Sequence, residues 1–219
     1  MNRLSIFSPC ILTDMHPEIF SKNQTELLPY IKKFQKSFFM VGGTAIALHL
    51  GHRRSIDFDL FTSTRLVKHR IKNKLLEIPY PQVPLFEDFD QLHLSIHDVK
   101  VTFFSFPYPI EHGVKVDSFI SIPTLMTLAS MKAFALGGRA KWKDYVDLYY
   151  ILRDHYTIED ICIEAKVNFG QMFSEKLFRE QLAFHKDINY SEPVEYISTP
   201  VPEDEIKNFL IEKAIDICI

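Results

Sequence analysis

The chain has 219 residues, with 25 Lys or Arg and 28 Asp or Glu, so its formal net charge is −3. Hydrophobic residues make up 47% and charged residues 24%, and this composition excludes a disordered or collagen-like protein. The longest apolar stretch, at 38–51, is shorter than the roughly 18 to 20 residues that cross a bilayer, and the first residues lack the pattern of a secretory signal. The three cysteines are far apart, unlike those of a disulfide framework or a zinc knuckle. We therefore expect a cytoplasmic protein with no membrane partner, in one large or two small domains.

The first segments predict a strand, a glycine turn and a helix in succession. Residues 23–36 have the apolar spacing of a helix. Residues 38–41 are an apolar run of strand length that ends at Gly42 and Gly43, and 44–50 then has helical character. The glycine pair is therefore expected between the end of a strand and the start of a helix.

An alternating segment follows at 56–61, where the sequence reads IDFDLF. Successive side chains of a strand point to opposite faces, so Asp57 and Asp59 share one face and the apolar residues share the other. This pattern predicts a half-buried strand with two carboxylates on its open face. The remaining segments of this half predict a helix at about 63–77 capped by Ser63, a loop at 79–84, and two strands within 91–106 that reverse near His97 and Asp98.

From residue 121 onward the patterns predict helices. Ser121 and Pro123 have the arrangement of an N-cap and a first-turn proline, and the helix they begin ends at Gly137 and Gly138. Further helices are predicted at 141–155, 158–167, 171–185 and about 203–217. We predict an α+β fold with a small mixed sheet, divided into an α+β core at 1–117 and a helical domain at 118–219 packed on it.

The glycine pair and the paired aspartates together suggest phosphate chemistry. Two glycines between a strand and a helix let backbone N–H groups approach an anion, and the helix N-terminus adds a favourable dipole. Asp57 and Asp59 offer two hard oxygen ligands on one side, which suits Mg²⁺ better than Zn²⁺ because no thiolate accompanies them. Each feature alone has an ordinary alternative: a glycine turn, and a solvated strand that resists edge pairing. Their combination in this order favours a site for phosphoryl or nucleotidyl transfer.

The same spacing resembles the first motif of the nucleotidyltransferase (polymerase-β-like) superfamily, a hydrophobic-Gly-Gly/Ser turn followed by an Asp-hydrophobic-Asp strand. Residues 41–61, VGGTAIALHLGHRRSIDFDLF, more narrowly resemble the AbiEii/AbiGii-type nucleotidyltransferases, many of them toxins of bacterial toxin–antitoxin and phage-abortive systems. A second stretch, from Met131 and Lys132 to KDYVDL at 143–148, is similar to that family's downstream lysine, arginine and KDxxDL helix. The resemblance implies the nucleotidyltransferase fold, with a helical C-terminal half.

The resemblance also implies roles for the matching residues. Gly42, Gly43 and Thr44 would cradle the triphosphate of an NTP, and Lys132 would contact phosphate. The catalytic residues it implies are Asp57, Asp59, Lys132, Asp144 and Asp147, of which Asp57 and Asp59 would bind Mg²⁺. The helix that carries Asp144 and Asp147 also fits an ion-paired surface, because Lys143 and Asp147 are an i, i+4 pair.

One position departs from the superfamily pattern. A third carboxylate usually comes from a later strand as a general base and metal ligand, but here Thr102 stands at the expected place. A hydroxyl cannot serve as a base near pH 7. The missing group is then supplied by Asp144 or Asp147, or by Asp98 from the hairpin turn, or the protein is catalytically weak.

A basic segment lies next to the predicted metal site. Between residues 52 and 74 there are seven Lys or Arg and two acids, a local balance of +5. A polyanionic substrate would be attracted to such a segment. Arg53, Arg54 and Ser55 directly precede the aspartate strand and are predicted to reach the triphosphate; the alternative for the rest of the segment is a solvated basic helix.

These features predict an Mg²⁺-dependent nucleotidyltransferase that moves NMP from an NTP to an acceptor hydroxyl and releases pyrophosphate. By the resemblance, the acceptor would be RNA, such as a tRNA end, and the protein would be the toxin of a toxin–antitoxin or abortive-infection system with an antitoxin partner. Two alternatives remain open. One is a non-catalytic relative that binds NTP or a partner protein, motivated by Thr102. The other is a small-molecule nucleotidyltransferase of the aminoglycoside-modifying kind.

Overall fold

A five-stranded mixed sheet forms the centre of the first half of the chain. The computed structural model describes residues 15–116, 119–197 and 199–216. The strands lie in the order β1-β2-β5-β4-β3, with β2 and β5 parallel and the other neighbours antiparallel. Their ranges are β1 (Phe39–Val41), β2 (Phe58–Thr62), β3 (Gln82–Asp88), β4 (Gln91–Ile96) and β5 (Val99–Ser105).

Helices surround the sheet and make up most of the second half. A two-stranded hairpin, β6 (Val114–Val116) and β7 (Ile120–Ile122), lies between the two halves, and β7 contacts β1. None of the helices in the described ranges has the length and apolar content needed to cross a bilayer. The helices are α1 (Lys22–Ile31), α2 (Gly42–Leu50), α3 (Lys68–Leu75), α4 (Leu125–Leu136), α5 (Trp142–Asp154), α6 (Ile158–Phe169), α7 (Glu175–Ala183) and α8 (Glu203–Ile215).

The alternation predicted for the aspartate strand sets the two faces of the sheet. Phe58 and Leu60 on β2 are fully buried, as are Val101 and Phe103 on the neighbouring β5. The residues between them point to the opposite face, where Asp59 is only half-buried. The α+β class and the mixed sheet predicted from the sequence are therefore confirmed.

One strand was not foreseen. The first three residues of β3 fall in the loop predicted at 79–84, because prolines punctuate this segment. The strand lies at the edge of the sheet, where a proline needs no ladder partner, and its pairing with β4 is irregular between Pro84 and Phe86. Six of its seven residues are exposed, so it contributes little to the core.

Two helix starts also differ from the prediction. The helix expected from Ser63 begins instead at Lys68, and the hydroxyl of Thr62 accepts a hydrogen bond from the Thr64 backbone N–H. The helix expected from Ser121 is capped by Thr124, because Ser121 belongs to β7. At α4 the Thr124 hydroxyl accepts the hydrogen bond that marks the helix start, whereas α3 begins after Val67 without a side-chain cap.

The two halves of the chain pack against each other. The predicted domain boundary at 117/118 falls outside the described residues, and the hairpin strands β6 and β7 lie on either side of it. The helix after the glycine pair, α2, packs against both α4 and α5. Residues of both halves consequently line the same cleft.

Candidate active site

The glycine corner and the aspartate strand are in direct contact. Val41 pairs with Asp59 across β1 and β2, which places the start of α2 beside the carboxylate. Gly42 has a φ of +73°, and a Cβ built on it would lie 2.3 Å from Oδ2 of Asp59. Only glycine combines this backbone conformation with so close an approach. The geometry therefore requires the first glycine of the pair.

Gly42→Ala is expected to destabilise the protein by about 1–3 kcal/mol, because it adds backbone strain and drives a methyl group into the Asp59 carboxylate. Thermal unfolding measures the effect. The matched control is Gly113→Ala, where an added Cβ meets no atom within 4 Å. Equal melting temperatures for the two variants would contradict the close packing of the corner.

The two aspartates are not neutralised by a cation of the protein. In the described residues neither Asp57 nor Asp59 takes part in an ion pair. Burial raises the pKa of Asp57, and the neighbouring Asp59 raises it further. Burial also raises the pKa of Asp59, against the opposing effect of Lys100. A pair of carboxylates that repel each other and have no partner suits a bound cation.

The aspartate strand faces an open cleft. Its cavity has a volume of about 760 Å³, and Asp59 is the acidic residue in its lining. Three cations, Lys100, Lys132 and Arg139, line the same cavity. A cleft with this balance of charge favours an anionic ligand. Asp57 lies outside the lining of this cavity.

The register of the sheet places Thr102 beside Asp59. These two residues are partners in the parallel pair β2–β5, and His93 is the partner of Thr102 on β4. The position at which the resemblance predicts a third carboxylate thus lies beside Asp59 and holds a threonine.

Lys100 is a site residue that the sequence interpretation missed. It lies two residues before Thr102 on β5 and therefore on the same face of the sheet. It lines the cleft, and its charge lowers the pKa of both aspartates. The alternation of VKVTFF at 99–104 places Lys100 on the same face as Thr102, and this pattern is sufficient to predict that Lys100 lies near the site.

The second motif forms a buried cluster of ion pairs behind the cleft. Nζ of Lys132 lies 2.7 Å from Oδ1 of Asp144 and 2.9 Å from Oδ2 of Asp147. Arg139 pairs with the other oxygen of Asp144 at 3.0 Å, and its own side chain is half exposed. Burial alone would raise the pKa of Asp144, but Lys132 and Arg139 outweigh it and lower that pKa.

Asp147 is fully engaged inside the protein. Its side chain is 0% exposed, and Arg53 donates to both of its oxygens at 2.7 and 2.9 Å. Nε2 of His52 lies 2.8 Å from Oδ1. Burial would raise the pKa of Asp147, yet Arg53 and Lys132 hold it well below its usual range. A carboxylate in this setting stabilises the fold and has no free oxygen for a metal or a substrate.

Arg53 supports the glycine corner from behind. The side chain is buried, and a Cβ built on Gly43 would lie 2.5 Å from its Nη2 atom. The prediction that Arg53 reaches the triphosphate is revised for this reason: its guanidinium is committed to Asp147. The guanidinium thus joins α5 to the start of α2.

The side chains of Thr44, Arg54 and Ser55 near the glycine corner are also bound elsewhere, whereas Lys132 of the predicted nucleotide-binding set lines the cleft. The hydroxyl of Thr44 donates to the backbone carbonyl of Asp57, and its oxygen lies 3.0 Å from Oγ of Ser55. Arg54 pairs with Glu195 at 2.9 Å on the outer surface. Of this group only the backbone of the corner itself remains available for phosphate. The side chains of Thr44 and Ser55 instead fix the aspartate strand to the corner.

Asp98 is remote from the cleft. It lies in the turn between β4 and β5, where His97 and Asp98 both have positive φ values of 53° and 60°. The turn is four residues from Thr102, which corresponds to about 13 Å along a strand. Asp98 is exposed and does not line the cleft.

A match to a protein-family model identifies the family of this chain. The model of the AbiEii nucleotidyl transferase toxins, described as a type IV toxin–antitoxin system, matches residues 30–215. The chain belongs to the AbiEii family. The resemblance seen in the glycine and aspartate motifs is therefore confirmed.

Similar proteins span several bacteria. An uncharacterised protein of Aquifex aeolicus (strain VF5) is 32% identical over 126 residues, which cover 54% of this chain and 59% of that protein. The AbiEii chain thus matches about three fifths of the length of this curated relative. MenT4, a nucleotidyltransferase toxin of Mycobacterium tuberculosis H37Rv, has a similar fold with a TM-score of 0.59 at 13% identity, over 88% of this chain and 80% of MenT4. JHP933 of Helicobacter pylori gives a TM-score of 0.52 at 16% identity, over 89% and 91% of the two chains.

The carboxylates of the aspartate strand are possible ligands for Mg²⁺. Across the described ranges no group of three His, Cys, Asp or Glu is arranged to hold a metal ion. Asp57 and Asp59 offer oxygen ligands without nitrogen or sulfur. Protein sites commonly bind Mg²⁺ through one or two carboxylates together with substrate phosphates and water. The residues present therefore fit a metal that is completed by a triphosphate.

Proposed function

We propose that the protein is an Mg²⁺-dependent nucleotidyltransferase that moves NMP from an NTP to an acceptor hydroxyl and releases pyrophosphate. One observation carries the proposal: the unpaired carboxylate of Asp59 lies against the Gly42 corner, in a cleft whose other charges are cationic. That arrangement brings together the two groups that a metal–triphosphate complex needs. Membership of the AbiEii family supports the same reaction.

Asp57 and Asp59 would hold Mg²⁺, which when bound neutralises and aligns the triphosphate. The backbone N–H groups at the start of α2 would bind phosphate oxygens, favoured by the helix dipole. Lys100 and Arg139 have side chains that reach the cleft and would offset the charge that develops on the phosphates. Lys132 contributes less, because Asp144 and Asp147 already balance its charge.

The acceptor hydroxyl must lose a proton during the transfer. Asp144 and Asp147 are buried among cations that lower their pKa values, which makes them poor proton acceptors. Asp59 lines the cleft, but it would hold Mg²⁺ together with Asp57. We therefore propose that a water molecule in the open cleft carries the proton away.

The acceptor we propose is RNA, such as a tRNA end. The basic segment at 52–74 gives partial support for a polyanionic acceptor. Two of its lysines are paired with Glu87, Lys72 at 2.8 Å and Lys68 at 3.5 Å, which reduces its free positive charge. Arg65 and Arg70 are exposed and form no ion pair within the described residues, so they remain for phosphate contacts. The family description adds an antitoxin as the expected protein partner.

The test incubates the protein with each of the four α-labelled NTPs, Mg²⁺ and total tRNA. Label on RNA together with released pyrophosphate supports the proposal. NTP binding without pyrophosphate release would instead support a non-catalytic relative, which Thr102 favours. Label on an aminoglycoside but not on RNA would indicate a small-molecule transferase. Asp57→Ala serves as the inactive control.

Lys100→Ala is expected to lower kcat/KM for the NTP by about 10- to 100-fold. A hydrogen bond to a charged group contributes about 1.5–3 kcal/mol, and Lys100 lines the cleft and lowers the pKa of both aspartates. Steady-state pyrophosphate release measures the effect. Lys115→Ala, which removes an exposed lysine of β6, is the matched control and should leave the rate unchanged. A rate loss below threefold in Lys100→Ala would contradict the assignment.

A further inference from the structure

The half of the cleft beyond the carboxylates is lined by aromatic rings. This aromatic annex consists of Phe61, Phe104, Phe106, Tyr108 and Phe134, all of them half-buried. No charged residue belongs to it. Half-buried rings that line a cavity are typical of ligand sites, since their faces gain by being covered.

The rings contact one another in a continuous series. Phe61 and Phe104 meet edge to face at 5.0 Å, and Phe104 is followed by Phe106 at 5.8 Å. Tyr108 lies 5.3 Å from Phe106 and 5.5 Å from Phe134. Phe134 is in turn stacked on Phe169 at 4.2 Å. These contacts hold the rings in place before any ligand arrives.

The aromatic annex and the charged half of the cleft follow one another along the same two strands, β2 and β5. Along β2 the cleft side changes from Asp59 to Phe61, and along β5 from Thr102 to Phe104. Two residues of a strand span about 7 Å. Phe61 and Phe104 are themselves partners, so both strands change from polar to aromatic at the same level. The cleft thus has a cationic, carboxylate-bearing end and an aromatic end, separated by about the width of a sugar ring.

We propose that the aromatic annex binds the base of a nucleoside triphosphate by stacking, an inference that rests on the proposed function of the same cleft. A nucleotide is an anion at one end and a flat ring at the other, which matches the order of groups along β2 and β5. The phosphates lie toward Gly42 and Lys100, and the base lies against Phe61 and Phe104. Stacking on aromatic side chains is tolerant of base identity, because every base has a π-face.

The test compares the binding of each NTP with that of inorganic triphosphate, both with Mg²⁺, by calorimetry. The base is expected to improve affinity by about 5- to 150-fold. Phe104→Ala should remove this advantage and leave the affinity for inorganic triphosphate unchanged. Phe104→Leu, which keeps most of the apolar volume but has no π-face, should retain only part of the advantage. Phe89→Ala is the matched control, because Phe89 is 80% exposed and lies outside the cleft.

The outcomes separate the two proposals. Equal affinities for NTP and inorganic triphosphate in the unaltered protein would overturn the annex assignment, while transfer activity could still establish the enzyme. A retained base advantage in Phe104→Ala would overturn it as well. Tight, base-dependent NTP binding without transfer would support the annex and contradict the enzyme. Absence of binding by either compound would count against both.

Discussion

Replacing Asp147 by alanine is expected to destabilise the protein by about 3–5 kcal/mol, which is a large part of the stability of a typical domain. The carboxylate is 0% exposed and is contacted by Arg53, Lys132 and His52. Removing it leaves the buried guanidinium of Arg53 without a carboxylate partner and leaves Lys132 with Asp144 alone. Urea or thermal unfolding measures the loss.

The matched control for this change is Asp154→Ala on the same helix, α5. Asp154 also pairs with an arginine, at 2.6 Å to Arg153, but both side chains are about 40% exposed. An exposed pair contributes at most about 1 kcal/mol. A comparable loss in the two variants would show that Asp147 is not the centre of a buried network.

The lowered pKa of Asp147 predicts how the stability of the protein changes on acidification. Because the pKa of Asp147 is lower in the folded protein than in the unfolded chain, its contribution is present above the unfolded value and is lost as the pH falls through the folded value. Asp144 acts in the same direction. The unaltered protein should therefore lose stability steeply on acidification below about pH 4, and Asp147→Ala should do so less steeply.

Asp59→Asn is expected to abolish transfer, by about 10³-fold or more, and to stabilise the protein in the absence of metal. Burial raises the pKa of this carboxylate against the opposing effect of Lys100, so its ionised form at neutral pH is unfavourable in the metal-free protein. The neutral amide removes that cost. We therefore expect the melting temperature to rise.

The stability contributions of Asp59 and Asp147 change with pH in opposite directions. For a group with a raised folded-state pKa, the associated stability is present below the unfolded value and is lost as the pH rises through the folded value. The advantage of Asp59→Asn should therefore be absent below about pH 4 and grow toward neutrality.

Asp98→Asn is the matched control for Asp59→Asn. Asparagine tolerates the positive φ of this turn, and Asp98 lies far from Thr102 along the strand. Full activity is expected, with an unchanged melting temperature. If Asp98→Asn loses activity while Asp59→Asn retains it, the metal-binding role proposed for the aspartate strand is wrong.

The geometry of the corner could be predicted from the sequence because it depends on local rules. Alternation placed Asp57 and Asp59 on one face, and the glycine pair marked the turn before α2. These features follow from strand period and glycine conformation, which are properties of a few neighbouring residues.

The electrostatic roles could not be predicted in this way. Lys143 and Asp147 were considered as an i, i+4 surface pair, but Lys143 pairs with Glu192 and Asp147 is held by Arg53 from ninety-four residues earlier in the chain. Burial and partner choice are decided by tertiary packing, which residue spacing does not encode. Arg53 was assigned to the substrate for the same reason: a charged residue beside a site motif does not reveal which way it points.

The Arg53 guanidinium also restricts how the cleft can open. It lies next to Gly43 on one side and pairs with α5 on the other, so a hinge motion at this point would break a buried ion pair. The part of the cleft wall at 172–177 is joined to its neighbours by more exposed pairs, such as that of Lys166 with Glu175. A motion that admits a ligand should therefore cost less at this wall than at the glycine corner.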